Sequence, residues 1–245
     1  MLHLVKMWLK APVEETSDHG KPTRRRIGNR GTPQGGVLSP LLANIYMRRF
    51  LKAWKQCGYD RRFGSRIVNY ADDFVILCRR DAIGALSEAR SILTRIGLTI
   101  NETKTRICYA PTDSFDFLGY TFGTQYSFGS GRKYMAAYPS GKSVRRLRGT
   151  LRRMIGTHMS WQCEERMVRD VNRVVRGWAN YFRYGTVWKT YVQTERFLQR
   201  RVRDWLVHKH RLGTRGECRY PATYLYGTMG LVNPCELLRL RKPSG

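Results

Sequence analysis

The distribution of apolar residues predicts an α+β protein, in which helices and short β-rich runs share the first half and basic helices fill the second. Three observations carry this. Apolar residues recur at helical spacing from Ser39 onward. The run RIVNYADDFVILCR holds two β-rich segments, Arg66 to Asn69 and Phe74 to Cys78, around an acidic turn. From Ser143 to about Arg211 the composition shifts to helix-forming sequence with no good strand.

Taken in order, residues 2–10 fit a helix, and the polar, turn-rich stretch 11–31 reads as loop. Ser39 and Pro40 open a helix whose apolar positions are Leu41, Leu42, Ile45, Tyr46, Phe50, Leu51 and Trp54, and which stops near Gly58. The acidic hairpin follows. Asp81 then starts a packing helix with Ile83, Leu86, Ala89, Ile92, Leu93 and Ile96 on one face, closed by Gly97. Short strands are expected at Leu98–Ile100, Thr105–Tyr109 and Asp116–Phe122, which ends the sheet domain. Residues 123–142, rich in Gly, Ser and Tyr, read as a hairpin and linker, and three helices come next.

Lys and Arg number 45 against 18 Asp and Glu, a formal charge of +27. So large a field opposes folding unless a polyanion screens it, which excludes an ordinary enzyme of small neutral substrates and points to nucleic acid. A hydrophobic share of 42% and an aromatic share of 12% exclude a disordered basic tail. No apolar run approaches the length of a membrane span, and the N-terminus lacks a signal-peptide pattern, so a cytoplasmic, nucleic-acid-associated protein is expected. The six cysteines, without a CxxC pair, read as reduced thiols, several in the core.

Asp72 and Asp73 form the candidate catalytic and metal site. An Asp-Asp dipeptide by itself is commonly a solvated turn. In a chain of this charge, beside apolar strands, a pair of carboxylates fits a Mg²⁺ site, and nucleotidyl transfer uses such groups to hold two metal ions.

The run Gly31-Thr32-Pro33-Gln34-Gly35-Gly36-Val37-Leu38-Ser39-Pro40-Leu41-Leu42-Ala43-Asn44-Ile45-Tyr46, with Tyr70-Ala71-Asp72-Asp73, resembles the palm of group II intron reverse transcriptases. Leu98-Thr99-Ile100-Asn101, Lys104-Thr105 and Phe117-Leu118-Gly119-Tyr120 are similar to later blocks of that palm. Arg176-Gly177-Trp178-Ala179-Asn180-Tyr181-Phe182 resembles the maturase-specific, or thumb, domain of the same proteins. The resemblance implies a partial palm over 1–125, a hairpin and linker over 126–142, the helical domain over 143–219 and a C-terminal tail over 220–245. It implies Asp72 and Asp73 as metal-binding carboxylates, Gln34 and Gly35 near the template and incoming nucleotide, and Lys104 beside the triphosphate. For Lys104 the reading as one more surface lysine stands alongside.

The family's palm supplies a further aspartate ahead of the Gly-Thr-Pro-Gln-Gly loop, whereas the only aspartate before Gly31 is Asp18, in loop-like sequence. The expectation is therefore a chain lacking the fingers and first palm strand, poorly soluble and inactive as a polymerase unless an N-terminal half acts in trans. Implied partners are intron RNA and a DNA target or primer, in a bacterial setting. The alternative is a non-catalytic RNA-binding maturase or RNA chaperone module.

Residues 142–219 hold 20 Lys and Arg against six Asp and Glu, with interleaved aromatic residues. Arg173, Arg176 and Arg183 are the candidate phosphate contacts, whereas Trp178 lies on the apolar stripe. His208 and His210, two apart, make poor ligands, and no endonuclease-type Cys pair follows.

Overall fold

Pro40 lies in the first turn of helix α1 (Ser39–Gln56), and Gly58 adopts a left-handed conformation (φ 68°) that ends this stretch and starts the short α2 (Tyr59–Arg62). The computed structural model describes residues 3, 6–7, 13–16, 22–25, 39–127, 129–213 and 216–240. The chain divides into two compact units, residues 1–107 and 108–245.

In the first unit the stretch 11–31 is not all loop. It contains an antiparallel pair, β1 (Val13–Thr16) and β2 (Pro22–Arg25), with Thr16 opposite Pro22. Pro22 stands at a strand end, where its missing N–H interrupts no interior ladder. The acidic hairpin is β3 (Arg66–Tyr70) with β4 (Asp73–Leu77), paired from Arg66 opposite Leu77 to Tyr70 opposite Asp73. Helix α3 (Ala82–Arg95) is N-capped by the Asp81 side chain, which accepts from the Gly84 N–H at 2.8 Å, and Gly97 follows at φ 80°.

Met47, Phe50 and Trp54 of α1, Phe63, and Ala85, Ala89, Ile92 and Leu93 of α3 form this unit's core. Ile67, Phe74 and Ile76 pack against it from the hairpin. Ile83, Leu41, Ile45 and Tyr46, expected on buried faces, are exposed, because each lies in the first half of its helix, ahead of the residues that meet the core. The strands expected at 98–100 and 105–109 do not form. Leu98 N–H instead bonds the Leu93 carbonyl at 2.9 Å, closing α3, and Leu98 and Ile100 reach the core as irregular chain.

The second unit begins with a three-stranded antiparallel sheet: β5 (Phe115–Phe117), β6 (Tyr120–Tyr126) and β7 (Lys133–Pro139). The single strand expected at Asp116–Phe122 is a hairpin, because Leu118 and Gly119 both take positive φ (49° and 78°), the geometry of a two-residue turn matched to strand twist. Ser140 caps α4 (Gly141–Met154) by accepting from Ser143 N–H. A 3₁₀ turn (Thr157–Met159) leads to α5 (Glu164–Tyr181) and then α6 (Trp188–Lys209).

The core of this unit joins Leu147 and Leu151 of α4, Val171, Val175 and Trp178 of α5, and Leu198, Val202 and Trp205 of α6. Residues expected to form a trailing tail join it as well. Leu225, Leu231, Val232 and Cys235 are buried in the same cluster, brought there by α7 (Gly216–Arg219), a π-helical turn (Tyr224–Thr228) and α8 (Pro234–Arg239). Of the cysteines, all free, only Cys235 is buried; Cys57, Cys163 and Cys218 are exposed. Among the described residues no helix is long and apolar enough to cross a membrane.

Candidate functional site

The β3–β4 hairpin turns through Ala71 and Asp72, with Ala71 in the left-handed region at φ 54°. A non-glycine residue held there costs about 1–2 kcal/mol, and such strain collects at functional turns. Asp72 and Asp73 are both exposed, and among the described residues neither is engaged in an ion pair or a side-chain hydrogen bond. Their oxygens are therefore available to a hard cation such as Mg²⁺, which characteristically keeps several waters and binds one or two carboxylates together with substrate phosphates. Among the described residues no group of three His, Cys, Asp or Glu is arranged to hold a metal ion. Among the described residues the pair therefore offers two carboxylates and no third protein donor of these types, fewer than two metal ions require.

Lys104 is exposed in a turn in which Thr105 N–H bonds the Asn101 carbonyl at 3.0 Å and Thr103 Oγ1 donates to Asn101 Oδ1 at 2.7 Å. Gln34 and Gly35 lie outside the described residues.

In the second unit, the α5 sequence separates two faces. At about 100° per residue, Arg166, Arg169, Arg173, Arg176 and Asn180 fall within an arc of about 80° opposite Met167, Val171 and Trp178, and each of the five is exposed. Arg169, Arg173 and Arg176 line one shallow cleft with Asn172 and Met229. The Asn172 side chain builds the far wall: it donates to the Gly230 carbonyl at 2.9 Å and accepts from Val232 N–H at 2.8 Å. The structure thus brings Arg173 and Arg176 together. Arg169, not singled out from sequence, joins them, and its spacing four residues before Arg173 is the signal that marks it.

Arg183 is not among the residues of that cleft. It follows the end of α5, stacked over the Tyr184 ring at 4.5 Å and hydrogen-bonded to the Tyr184 hydroxyl. That helix end is tightly held. Tyr120 Oη donates to the Tyr181 carbonyl at 2.9 Å, Tyr181 Oη donates to the Leu118 carbonyl at 2.8 Å, and buried Tyr191 donates to the Ala179 and Phe182 carbonyls. Carbonyls that the last turn of a helix leaves without partners are satisfied by hydroxyls. Burial pushes the Tyr120 phenol above its ordinary range, so it keeps its donor proton into alkaline solution. Trp178 and Phe182 are core, whereas Trp161, Tyr181, Tyr184 and Trp188 stay exposed.

Two family models match the chain. Residues 2–122 match reverse transcriptase (RNA-dependent DNA polymerase), and residues 144–220 match the group II intron maturase-specific domain. A comparison with curated proteins gives no match. The polymerase match contains the acidic hairpin and the maturase match contains the arginine face of α5. With the two in tandem on one polypeptide, the chain belongs to the group II intron reverse transcriptase/maturase family.

Proposed function

We propose that the two units divide the family's work. The acidic hairpin serves template-directed nucleotidyl transfer, and the basic helices of the second unit grip the phosphates of intron RNA. The observation that carries this reading is the pairing of two uncommitted carboxylates on a strained turn with a line of four exposed arginines on α5. Asp72 and Asp73 would hold Mg²⁺, which when bound polarises phosphate oxygens and lowers the proton affinity of an attacking hydroxyl. Gln34 and Gly35 would stand near the templating base and incoming nucleotide, Lys104 would supply a point charge to its phosphates, and Arg173, Arg176 and Arg183 would contact the RNA backbone.

The boundaries proposed are 1–125 for the palm, 126–142 for the hairpin and linker and 143–219 for the maturase domain, with the C-terminal stretch 220–245 supplying core residues to the second compact unit, which begins at 108. Two carboxylates cannot by themselves clamp both oxygens of an in-line displacement. The 245 residues alone should therefore extend a primer weakly or not at all on an RNA template with Mg²⁺ and deoxynucleotides, and an N-terminal reverse transcriptase half supplied in trans should restore extension. Restored extension must vanish in Asp72→Asn. Extension that survives that substitution removes the hairpin from the catalytic site.

The second unit carries its own core and its own arginine line, and that self-sufficiency favours a second reading. In it the chain is a non-catalytic maturase or RNA chaperone that acts through the helical unit. Splicing stimulation unchanged by Asp72→Asn, with no extension under any complementation, selects it.

A further inference from the structure

We propose that Trp161 is a stacking platform for an unpaired RNA base, in a cleft separate from the arginine face of α5; the proposal rests on the RNA-binding reading above. Trp161 is 72% exposed, on the connection between the 3₁₀ turn and α5. A single exposed ring is ordinary on a protein surface, but this one lines a cleft together with charged and polar side chains. Its backbone is unusually well fixed. Lys209 Nζ donates to the carbonyls on either side of Trp161, Ser160 at 3.1 Å and Gln162 at 2.6 Å, while lying over the Trp205 ring. Arg201 donates to the Ile155 carbonyl at 3.0 Å, and His210 Nε2 is 2.8 Å from Glu164 Oε1. Helix α6 and the residue that follows it therefore hold the segment at four points along 155–164. The backbone that carries the ring is thus held before binding, which lowers the ordering cost of that segment.

The cleft beside Trp161 measures about 760 Å³ and is lined also by Ser160, Asp204, His208 and Arg211. Asp204 and His208 stand four residues apart on α6, hence on one face. Arg211 leaves that helix in the left-handed region, at φ 52°. This mixture selects an occupant. A phosphate alone would leave the indole and the Asp204 carboxylate unused. An unpaired base uses all three kinds of group: the indole stacks on its face, Asp204 accepts from N–H groups on its Watson–Crick edge, and Arg211 meets the attached phosphate. Every RNA base carries an amino or imino hydrogen on that edge, so the Asp204 acceptor favours a base over an abasic ribose without choosing among bases.

The test uses the full chain with fluorescein-labelled, unstructured purine ribohexamers and hexamers of equal charge with abasic positions. Trp161→Ala should weaken binding of the base-bearing probe about 5- to 150-fold, the range of one lost base–aromatic stack. Binding of the abasic probe, the salt slope and the melting temperature should not change, because the ring is exposed and carries no charge. Trp161→Phe should keep most of the affinity. The indole emission present in the wild type and absent from Trp161→Phe should be quenched by the base-bearing probe only. Asp204→Asn should shrink the preference for the base-bearing probe.

Equal loss on both probes, or a fallen melting temperature, gives Trp161 a structural role and overturns the proposal. Unchanged affinity in Trp161→Ala also overturns it and leaves the ring to a protein partner. A wild-type chain that binds neither probe at low salt defeats the RNA-binding reading itself, a result distinct from a Trp161 effect.

Discussion

Gly177 stands one turn beyond Arg173 and one turn before Tyr181 on α5, and a methyl group placed on it meets nothing within 4 Å. Glycine inside a helix costs about 0.5–1 kcal/mol relative to alanine, so Gly177→Ala should raise stability by that amount, read as an increase in denaturation midpoint. Gly185 is the opposite case. It has φ 86°, and an added Cβ would lie 2.3 Å from the Ala137 carbonyl oxygen on β7, where Thr186 N–H already bonds at 2.7 Å. Gly185→Ala should destabilise by several kcal/mol, because the clash is with backbone and the conformation is left-handed. Equal effects at the two positions would mean that the chain after α5 does not dock on β7 as described. Sequence cannot separate such glycines: the letters agree, and the difference lies in what the fold brings opposite each. Arg183 teaches the same lesson. Its neighbours in sequence place it with Arg173 and Arg176, but the helix ends at Tyr181 and the guanidinium turns onto Tyr184, so Arg183 would meet a phosphate apart from the α5 cleft.

Helices are readable because their signal is local: the α3 and α5 stripes and the caps at Asp81 and Gly97 stand in the chain itself. Strand pairing is less so. Phe117-Leu118-Gly119-Tyr120 reads as continuous β sequence until a leucine accepts positive φ, and that is stabilised from elsewhere, by Tyr181 Oη on the Leu118 carbonyl and by Ser140 N–H and Ser143 Oγ on the Gly119 carbonyl. The C-terminal elements escape the sequence for a related reason, since short helices after turn-rich sequence show no long period and only the core reveals their burial. A consequence follows for fragments. Residues 143–219 alone would lose Leu225, Leu231, Val232 and Cys235 from the core, and with them the sheet whose turn receives Tyr181. That fragment should melt without cooperativity in calorimetry, whereas residues 108–245 should melt as one transition. Cys235 reports the same packing. Burial, then a hydrogen bond and repulsion from Glu195, pushes its thiol up to about 12. A thiol reagent at pH 8 should label Cys57, Cys163 and Cys218 promptly and Cys235 only on unfolding. Because the folded value lies above the unfolded one, the stabilisation from this protonated thiol is complete below the ordinary thiol range and is lost as pH rises toward about 12.

At the scale of the whole molecule, the charge of +27 makes the general class of partner legible from composition alone, and the order of the blocks makes the family legible. What neither supplies is which cations act together. The fold answers that by placing Arg169, Arg173 and Arg176 along one outward line of α5 beside a cleft walled by Asn172 and Met229. Affinity for structured RNA should fall as salt rises, by about 0.7–0.9 logarithmic units per tenfold change for each phosphate neutralised. Asp72→Asn and Asp73→Asn should leave that slope unaltered, since the acidic hairpin is not part of the arginine face. The decisive comparison is this slope for the full chain, wild type against Arg169→Ala/Arg173→Ala/Arg176→Ala, over a salt titration. If each arginine holds one phosphate, the variant's slope is shallower by about 2–3 units. An unchanged slope with unchanged affinity would contradict that assignment and place the RNA on another surface.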